Sequence, residues 1–236
     1  MDGLLFGAFP YVALTIFVVG TIIRYRGGFQ YSSLSSQFLE SKKFYGGSVP
    51  FHVGILVVFF AHLVAFIFPG FTFGGSTLVT METIMLAFSI MAIVGLLLLF
   101  IRRVTTERVR MVTNKMDIII EVLLLAQFII GVYIAISFKW GSAWYASDMV
   151  PYLWSVFTFS PDIAAVAATP LLIQLHIIGA FLIILLIPFS RLVHFLVAPL
   201  HYIVRPYQVV RWNWDKKKIR DPEQPWEEVI QRPKNN

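Results

Sequence analysis

Five stretches of this chain, about 4–23, 50–68, 83–101, 117–137 and 170–198, are apolar over roughly the 20 residues that a helix needs to cross a hydrocarbon core. Inside lipid every backbone N–H and C=O has to find its partner within the protein, and for such stretches that means helix. The sequence therefore predicts an all-α integral membrane protein with five transmembrane helices. Composition agrees: only 14% of the residues are charged and mean hydropathy is +0.76, where soluble domains carry ~25% charged residues. The first stretch has no basic region before it and no small-residue cleavage site after it, so it reads as a retained span and not as a removed leader.

Lysine and arginine are unevenly placed between these stretches. Arg24, Arg26, Lys42 and Lys43 follow the first; Arg102, Arg103, Arg108, Arg110 and Lys115 follow the third; nine more stand from Arg191 onward; the second connection has none and the fourth only Lys139. Basic residues gather on the cytoplasmic side of spanning helices, which puts the N-terminus outside and the C-terminus in the cytoplasm. The net charge of +6 thus follows topology, and nucleic acid binding is a poor reading of it. The fourth connection, 138–170, carries Trp140, Trp144, Tyr145, Tyr152 and Trp154. Amphipathic rings favour the headgroup layer, so this segment is expected along the outer surface, as a roof over the site of a lipid-soluble ligand. Residues 205–236 are polar, with Lys216-Lys217-Lys218, then Asp221, Glu223, Glu227 and Glu228, and with Pro222, Pro225 and Pro233 between them. They hold too little apolar surface for a core of their own. The chain accordingly divides into a five-helix membrane domain, 1–204, and a cytoplasmic tail, 205–236, that is disordered or ordered by docking to a partner.

The chain has five histidines and no cysteine. Without thiolates a redox metal centre has to rest on imidazole. His52 and His62 fall inside the second apolar stretch, and His176 and His194 inside the fifth, where ionisable side chains are rare and face the bundle interior. The first two are separated by about 15 Å of helix rise and the second two by about 27 Å, five whole turns, which would put His176 and His194 on one face. The second helix runs outward and the fifth inward, so His62 and His176 lie toward the outside and His52 and His194 toward the cytoplasm. Each level then offers two imidazoles from different helices, which suits heme iron with both axial positions filled. The unequal rises require tilt or a bend, for which Pro188 is a candidate. His201, beyond Pro199, is expected at the cytoplasmic surface as a non-ligand. Competing explanations are hydrogen-bonded packing histidines, zinc, for which no cysteine or neighbouring carboxylate completes a tetrahedral set, and proton relays in a heme-free transporter, whose repeat symmetry and paired broken helices are missing. Doubly ligated heme has no open position for substrate, so it carries electrons and does not activate small molecules.

Certain residues go further than composition and spacing: Gly20 and Arg24-Tyr25, Ser35-Ser36-Gln37, Phe51-His52-Val53-Gly54-Ile55-Leu56 with His62, Arg108-Val109-Arg110, Asp117 and Gln127, Leu175-His176, and the run Pro188-Phe189-Ser190-Arg191-Leu192-Val193-His194. In these the chain resembles the gamma subunits of respiratory nitrate reductase, diheme cytochromes b of the prokaryotic cytoplasmic membrane. The resemblance spans nearly the whole membrane domain. It implies two heme b groups, the outer on His62 and His176 and the inner on His52 and His194. It further implies that quinol is oxidised near the outer heme with protons released outside, while electrons pass inward to an iron–sulfur subunit and then to a molybdenum-containing subunit that reduces nitrate. The tail and the basic connections would form the docking face for the iron–sulfur subunit. Related membrane subunits serve sulfite- or heterodisulfide-linked complexes, and reversed electron flow would suit nitrite oxidation.

Two departures stand out. Where the family carries a quinone-holding lysine near the start of the third helix, this chain has Thr80-Met81-Glu82-Thr83; Glu82 would accept a proton there or only complement the helix start. The tail after Arg211 is also longer than the family pattern. Glu121 is expected to face Arg102 or Arg103 or to assist proton movement. Arg191, about one turn from His194, would pair with a heme propionate or simply mark the inner boundary.

Overall fold

The computed structural model describes residues 1–27, 36, 39, 42–69, 74–138 and 144–197; Ser35, Gln37, Trp140, His201 and the tail 205–236 lie outside them. The described residues form helices and no strand. α1 (Gly3–Arg26) opens in π-helical form and turns α-helical at Phe9; the change falls beside Pro10, which has no N–H to close the regular ladder. There follow α2 (Lys42–Ile67), α3 (Gly75–Thr105), the short α4 (Glu107–Met111) and α5 (Lys115–Ser137). A π-helical turn, Tyr145–Met149, runs on as the helix Val150–Phe157, together α6; α7 (Ile163–Ala167) and α8 (Leu171–Leu186) complete the helices, and 3-10 turns follow at Ile187–Phe189 and Arg191–Val197. Among the described residues five helices are long and apolar enough to span a membrane: α1, α2, α3, α5, and α8 with its first 3-10 turn. Large apolar side chains such as Val53, Phe60, Ile90, Ile101 and Ile129 stand exposed along them, a surface that belongs in lipid.

α2 packs on α3, α3 on α5, α5 on α8, and α8 on α1. The α2–α3 contact depends on missing side chains. A β-carbon on Gly54 would lie 2.5 Å from the Phe88 carbonyl and 2.8 Å from Ala92, and one on Gly95 would lie 2.7 Å from the Gly47 carbonyl. In lipid, where burying an apolar side chain gains little, such close backbone approach is a main source of helix association. The two histidine-bearing helices, α2 and α8, are thus joined mainly through α3 and α5.

The fifth span is shorter than expected. Its α-helix stops at Leu186, because Pro188 lacks an N–H and its ring crowds the preceding turn, and Ser190 is extended with ψ 176°. His176 and His194 therefore do not share a continuous helix, and the five-turn phase argument fails. His194 reaches its place through an elbow held by α1: Arg24 Nη1 donates to the Pro188 carbonyl at 2.6 Å, and Gly20 leaves room for the proline ring, which a β-carbon there would meet at 3.0 Å.

α3, by contrast, begins at Gly75, well before the expected 83. Its first turns are polar enough to hide from a search for apolar runs, yet the hydroxyls of Thr80 and Thr83 donate to the Ser76 and Val79 carbonyls at 2.9 and 2.8 Å and leave the helix intact. Glu82 consequently lies about two turns inside α3, past the first turn where the helix dipole acts, so complementing the helix start is not its role. The aromatic connection likewise folds onto the bundle. Tyr152 is fully buried with Phe6, Val156 and Val166 and donates to the Phe6 carbonyl at 2.9 Å. Burial pushes its phenol up to about 12, so it stays a donor. Trp154 stacks on Phe66 with ring centres 5.0 Å apart, and its Nε1 donates at 2.9 Å to the Phe66 carbonyl, one of those that the end of α2 leaves without a helical partner. These two rings fasten the roof to α1 and α2.

Gly95→Val should drive α3 away from α2 at an overpacking cost of about 1–3 kcal/mol, read as a lower melting temperature in detergent. Gly46→Ala, whose β-carbon meets nothing within 4 Å, should leave it unchanged; equal melting temperatures would remove the α2–α3 contact from this role.

Candidate metal centres

His52 of α2 meets His194 of the last 3-10 turn, with ring centres 6.2 Å apart and planes at 64°. An imidazole nitrogen binds a transition metal at about 2 Å and the ring centre lies about 1 Å behind it, so two imidazoles on opposite sides of one metal have centres about 6 Å apart. The pair stands at that spacing.

Three of the four histidines share a second feature. Nδ1 of His52 lies 2.7 Å from the Ser48 carbonyl, that of His62 2.8 Å from the Val58 carbonyl, and that of His194 2.6 Å from the Arg191 carbonyl. A carbonyl only accepts, so Nδ1 is the protonated nitrogen in each ring and Nε2 keeps its lone pair. A carbonyl at the far nitrogen is the usual support of a metal-bound imidazole, since it sets tautomer and direction.

The second pair is built on α5 as much as on its own helices. His176 lies against Gly131, where a β-carbon would come within 3.1 Å of the ring. One turn earlier Gln127 donates from Nε2 to the His176 carbonyl at 2.7 Å, and its Oε1 packs where a side chain on Gly179 would clash. Among the described residues the buried His176 Nδ1 meets no hydrogen-bond partner, which leaves it to a metal or an ordered water. His62 is near enough to interact with it electrostatically, and the Tyr145 ring of the roof meets His62 edge-on at 5.1 Å. Burial pushes the Tyr145 phenol up to about 12, so it faces His62 as a neutral group. Among the described residues no three His, Asp or Glu side chains converge. A four-ligand zinc site does not fit them; the spacing of His52 and His194 fits an iron held by two imidazoles.

Below His194 lies a buried ionic cluster. α5 starts with a capping box in which Asn114 accepts from the Asp117 N–H at 2.8 Å and Asp117 accepts from the Asn114 N–H at 3.0 Å, satisfying two orphan donors. Asp117, 2% exposed, also receives Arg191 through Nε at 2.6 Å and Nη2 at 2.8 Å, and Arg103 at 3.4 Å. Arg103 holds Glu121 at 2.9 Å, and Arg191 Nη2 reaches the Val112 carbonyl at 2.9 Å. Of the two arginines considered for Glu121 it is thus Arg103 that binds it. Arg102 turns the other way, to the Ser36 hydroxyl and carbonyl at 2.8 and 3.0 Å, with its guanidinium over the Phe44 ring. Asp117 and Gln127 stood out in the sequence only as matched positions, and Gly131 not at all; the four-residue step from Gln127 to Gly131, one face of α5, was the signal available.

Five helices of spanning length among the described residues, with His52 and His194 paired at the spacing of two ligands to one metal, point to a class, the multi-pass membrane electron-transfer proteins. The particular family follows from comparison: residues 2–213 match the nitrate reductase gamma subunit family, and the chain belongs to it. It is similar to the nitrate reductase gamma chain of Bacillus subtilis (strain 168), 32% identical over 88% of this chain and 97% of that one. With the respiratory nitrate reductase 2 gamma chain of Escherichia coli (strain K12) it is 31% identical over 86% of this chain and 93% of that one. The nitrate reductase-like protein NarX of Mycobacterium tuberculosis (strain ATCC 25618 / H37Rv) is 32% identical over 89% of this chain, which spans 34% of that longer protein. The chain is therefore a membrane electron-transfer subunit of an oxidoreductase family of nitrate respiration and a multi-pass protein of the bacterial inner membrane.

Arg103→Leu should leave Glu121 and Asp117 short of a counter-charge. Removing one partner of a buried ion pair costs about 3–5 kcal/mol, so the melting temperature should fall clearly, and by more than in Arg110→Leu, where the side chain is exposed. Similar falls in the two would show that the cluster adds nothing to stability.

Proposed function

We propose that this chain is the diheme cytochrome b subunit of a nitrate-reductase-like complex, oxidising membrane quinol near the outer face and delivering electrons inward to an iron–sulfur subunit. The observation that carries the reading is the shared support of the imidazoles: three Nδ1 atoms tied to backbone carbonyls, with His52 and His194 at the spacing of two axial ligands. His52 and His194 would hold the inner heme b, and His62 and His176 the outer one. Held by these histidines, heme would supply one-electron transfer between a two-electron quinol and the next carrier.

The work of the chain itself is to position. The carbonyls of Ser48, Val58 and Arg191 aim Nε2 and make it a better donor, and Arg191 belongs to the inner binding set. The pinned roof of α6 and α7 brings the Tyr145 ring against His62 without adding charge there. With the N-terminus outside and the C-terminus in the cytoplasm, quinol enters from the lipid and gives its two protons to the outer side while two electrons pass inward. The iron–sulfur subunit docks on the basic connections and the tail 205–236, and nitrate is reduced on a molybdenum-containing subunit beyond it.

Heme quantitation with reduced-minus-oxidised spectra tests this on the purified chain. Two b hemes are expected in the wild type, with one lost in His62→Ala and the other in His194→Ala. A folded wild-type chain without heme, made in a heme-replete host, would overturn the reading in favour of a transporter that uses its histidines as proton relays.

A further inference from the structure

We propose that Asp117 is a positioning residue for the inner heme, fixing His194 through Arg191; the proposal rests on the reading of His52 and His194 as its ligands. The need for such a residue comes from the elbow. α8 ends at Leu186, and His194 stands in a separate 3-10 turn beyond extended Ser190. Turns with i→i+3 bonds have poorer hydrogen-bond geometry and are short-lived as independent elements, so this one does not inherit rigidity from the spanning helix.

What it has instead is a chain of contacts leading to α5. The His194 Nδ1–H donates to the Arg191 carbonyl at 2.6 Å, so the direction of the ring follows the backbone of Arg191. The Arg191 side chain reaches across to α5, where Nε and Nη2 grip the two carboxylate oxygens of Asp117 at 2.6 and 2.8 Å. A bidentate fork of this kind fixes orientation as well as distance. Asp117 is in turn locked by the Asn114 N–H and by Arg103 of α3. Placement thus runs from the start of α5 through Asp117 and Arg191 to the imidazole that faces His52. The expectation that Arg191 pairs with a heme propionate makes a different claim, in which Arg191 acts on the heme directly and Asp117 is incidental.

The test uses the full heme-loaded chain in detergent, with low-temperature electron paramagnetic resonance and a potentiometric titration of each heme; the signal missing from His194→Ala marks the inner one. Asp117→Asn and Arg191→Lys should each shift the g values and midpoint potential of the inner heme and leave the outer heme at its wild-type values, and the double variant should move no further than either single one. If Asp117→Asn does not accumulate, Asp117→Glu, which keeps the charge and lengthens the arm, takes its place with the same expectation. A shift in Arg191→Lys with none in the Asp117 variants would overturn the proposal and assign Arg191 to the propionate. Equal shifts of both hemes would overturn it too, since Asp117 would then support the bundle in general. A wild-type chain without heme defeats the diheme reading itself, whereas two hemes with an inner signal indifferent to Asp117 defeats only this role.

Discussion

A carboxylate sealed from water has to be met by donors on nearly every side, and around Asp117 that requirement organises one end of the molecule. Its oxygens have about four acceptor sites, and the contacts it makes are with the Asn114 N–H, Arg103 and both near nitrogens of Arg191. Each donor comes from a different place: the start of α5, the end of α3, and the turn beyond α8. Helix start, helix end and the turn that carries His194 are brought to one point because the charge there is intolerable otherwise. The neighbouring Glu121 and Arg103 extend the same balance of two carboxylates against two guanidinium groups.

The other half of the architecture is made by what is missing. Where α2 and α3 touch, where the Pro188 elbow meets α1, and where His176 leans on α5, the residue opposite is glycine. A spanning bundle gains little by burying large apolar side chains that lipid would solvate equally well, and its large apolar residues accordingly face outward. Polar side chains inside, such as Gln127 and Arg24, spend their hydrogen bonds on backbone carbonyls of the fifth span, at His176 and at Pro188. The two points flank the length over which that span changes from α-helix to elbow.

Much of this was legible in the sequence. Spans are set by a strong and nearly local rule, so all five were found. Boundaries failed where polar residues satisfied themselves inside the helix, as Thr80 and Thr83 do, or where the chain is held by distant groups. Pro188 announces a bend, but an extended Ser190 and a separate turn carrying His194 depend on Arg24 and Asp117, far away in the chain. The particular contacts of the aromatic connection were out of reach for a related reason: an average preference of rings for the headgroup layer says nothing of Tyr152, whose hydroxyl has a particular carbonyl to reach, or of Trp154, which stacks on a particular phenylalanine.

The roof also has a meaning in time. α1, α2 and α3 leave the ribosome first, and at that stage the carbonyls of Phe6 and Phe66 still lack the donors that Tyr152 and Trp154 will bring. α8 and the turn with His194 come later still. On the proposed diheme reading neither pair of imidazoles is complete until the last span has been inserted and its elbow folded back, so cofactor loading would come late in biogenesis, and a chain stalled after α5 would be membrane-bound but unable to hold heme between two histidines.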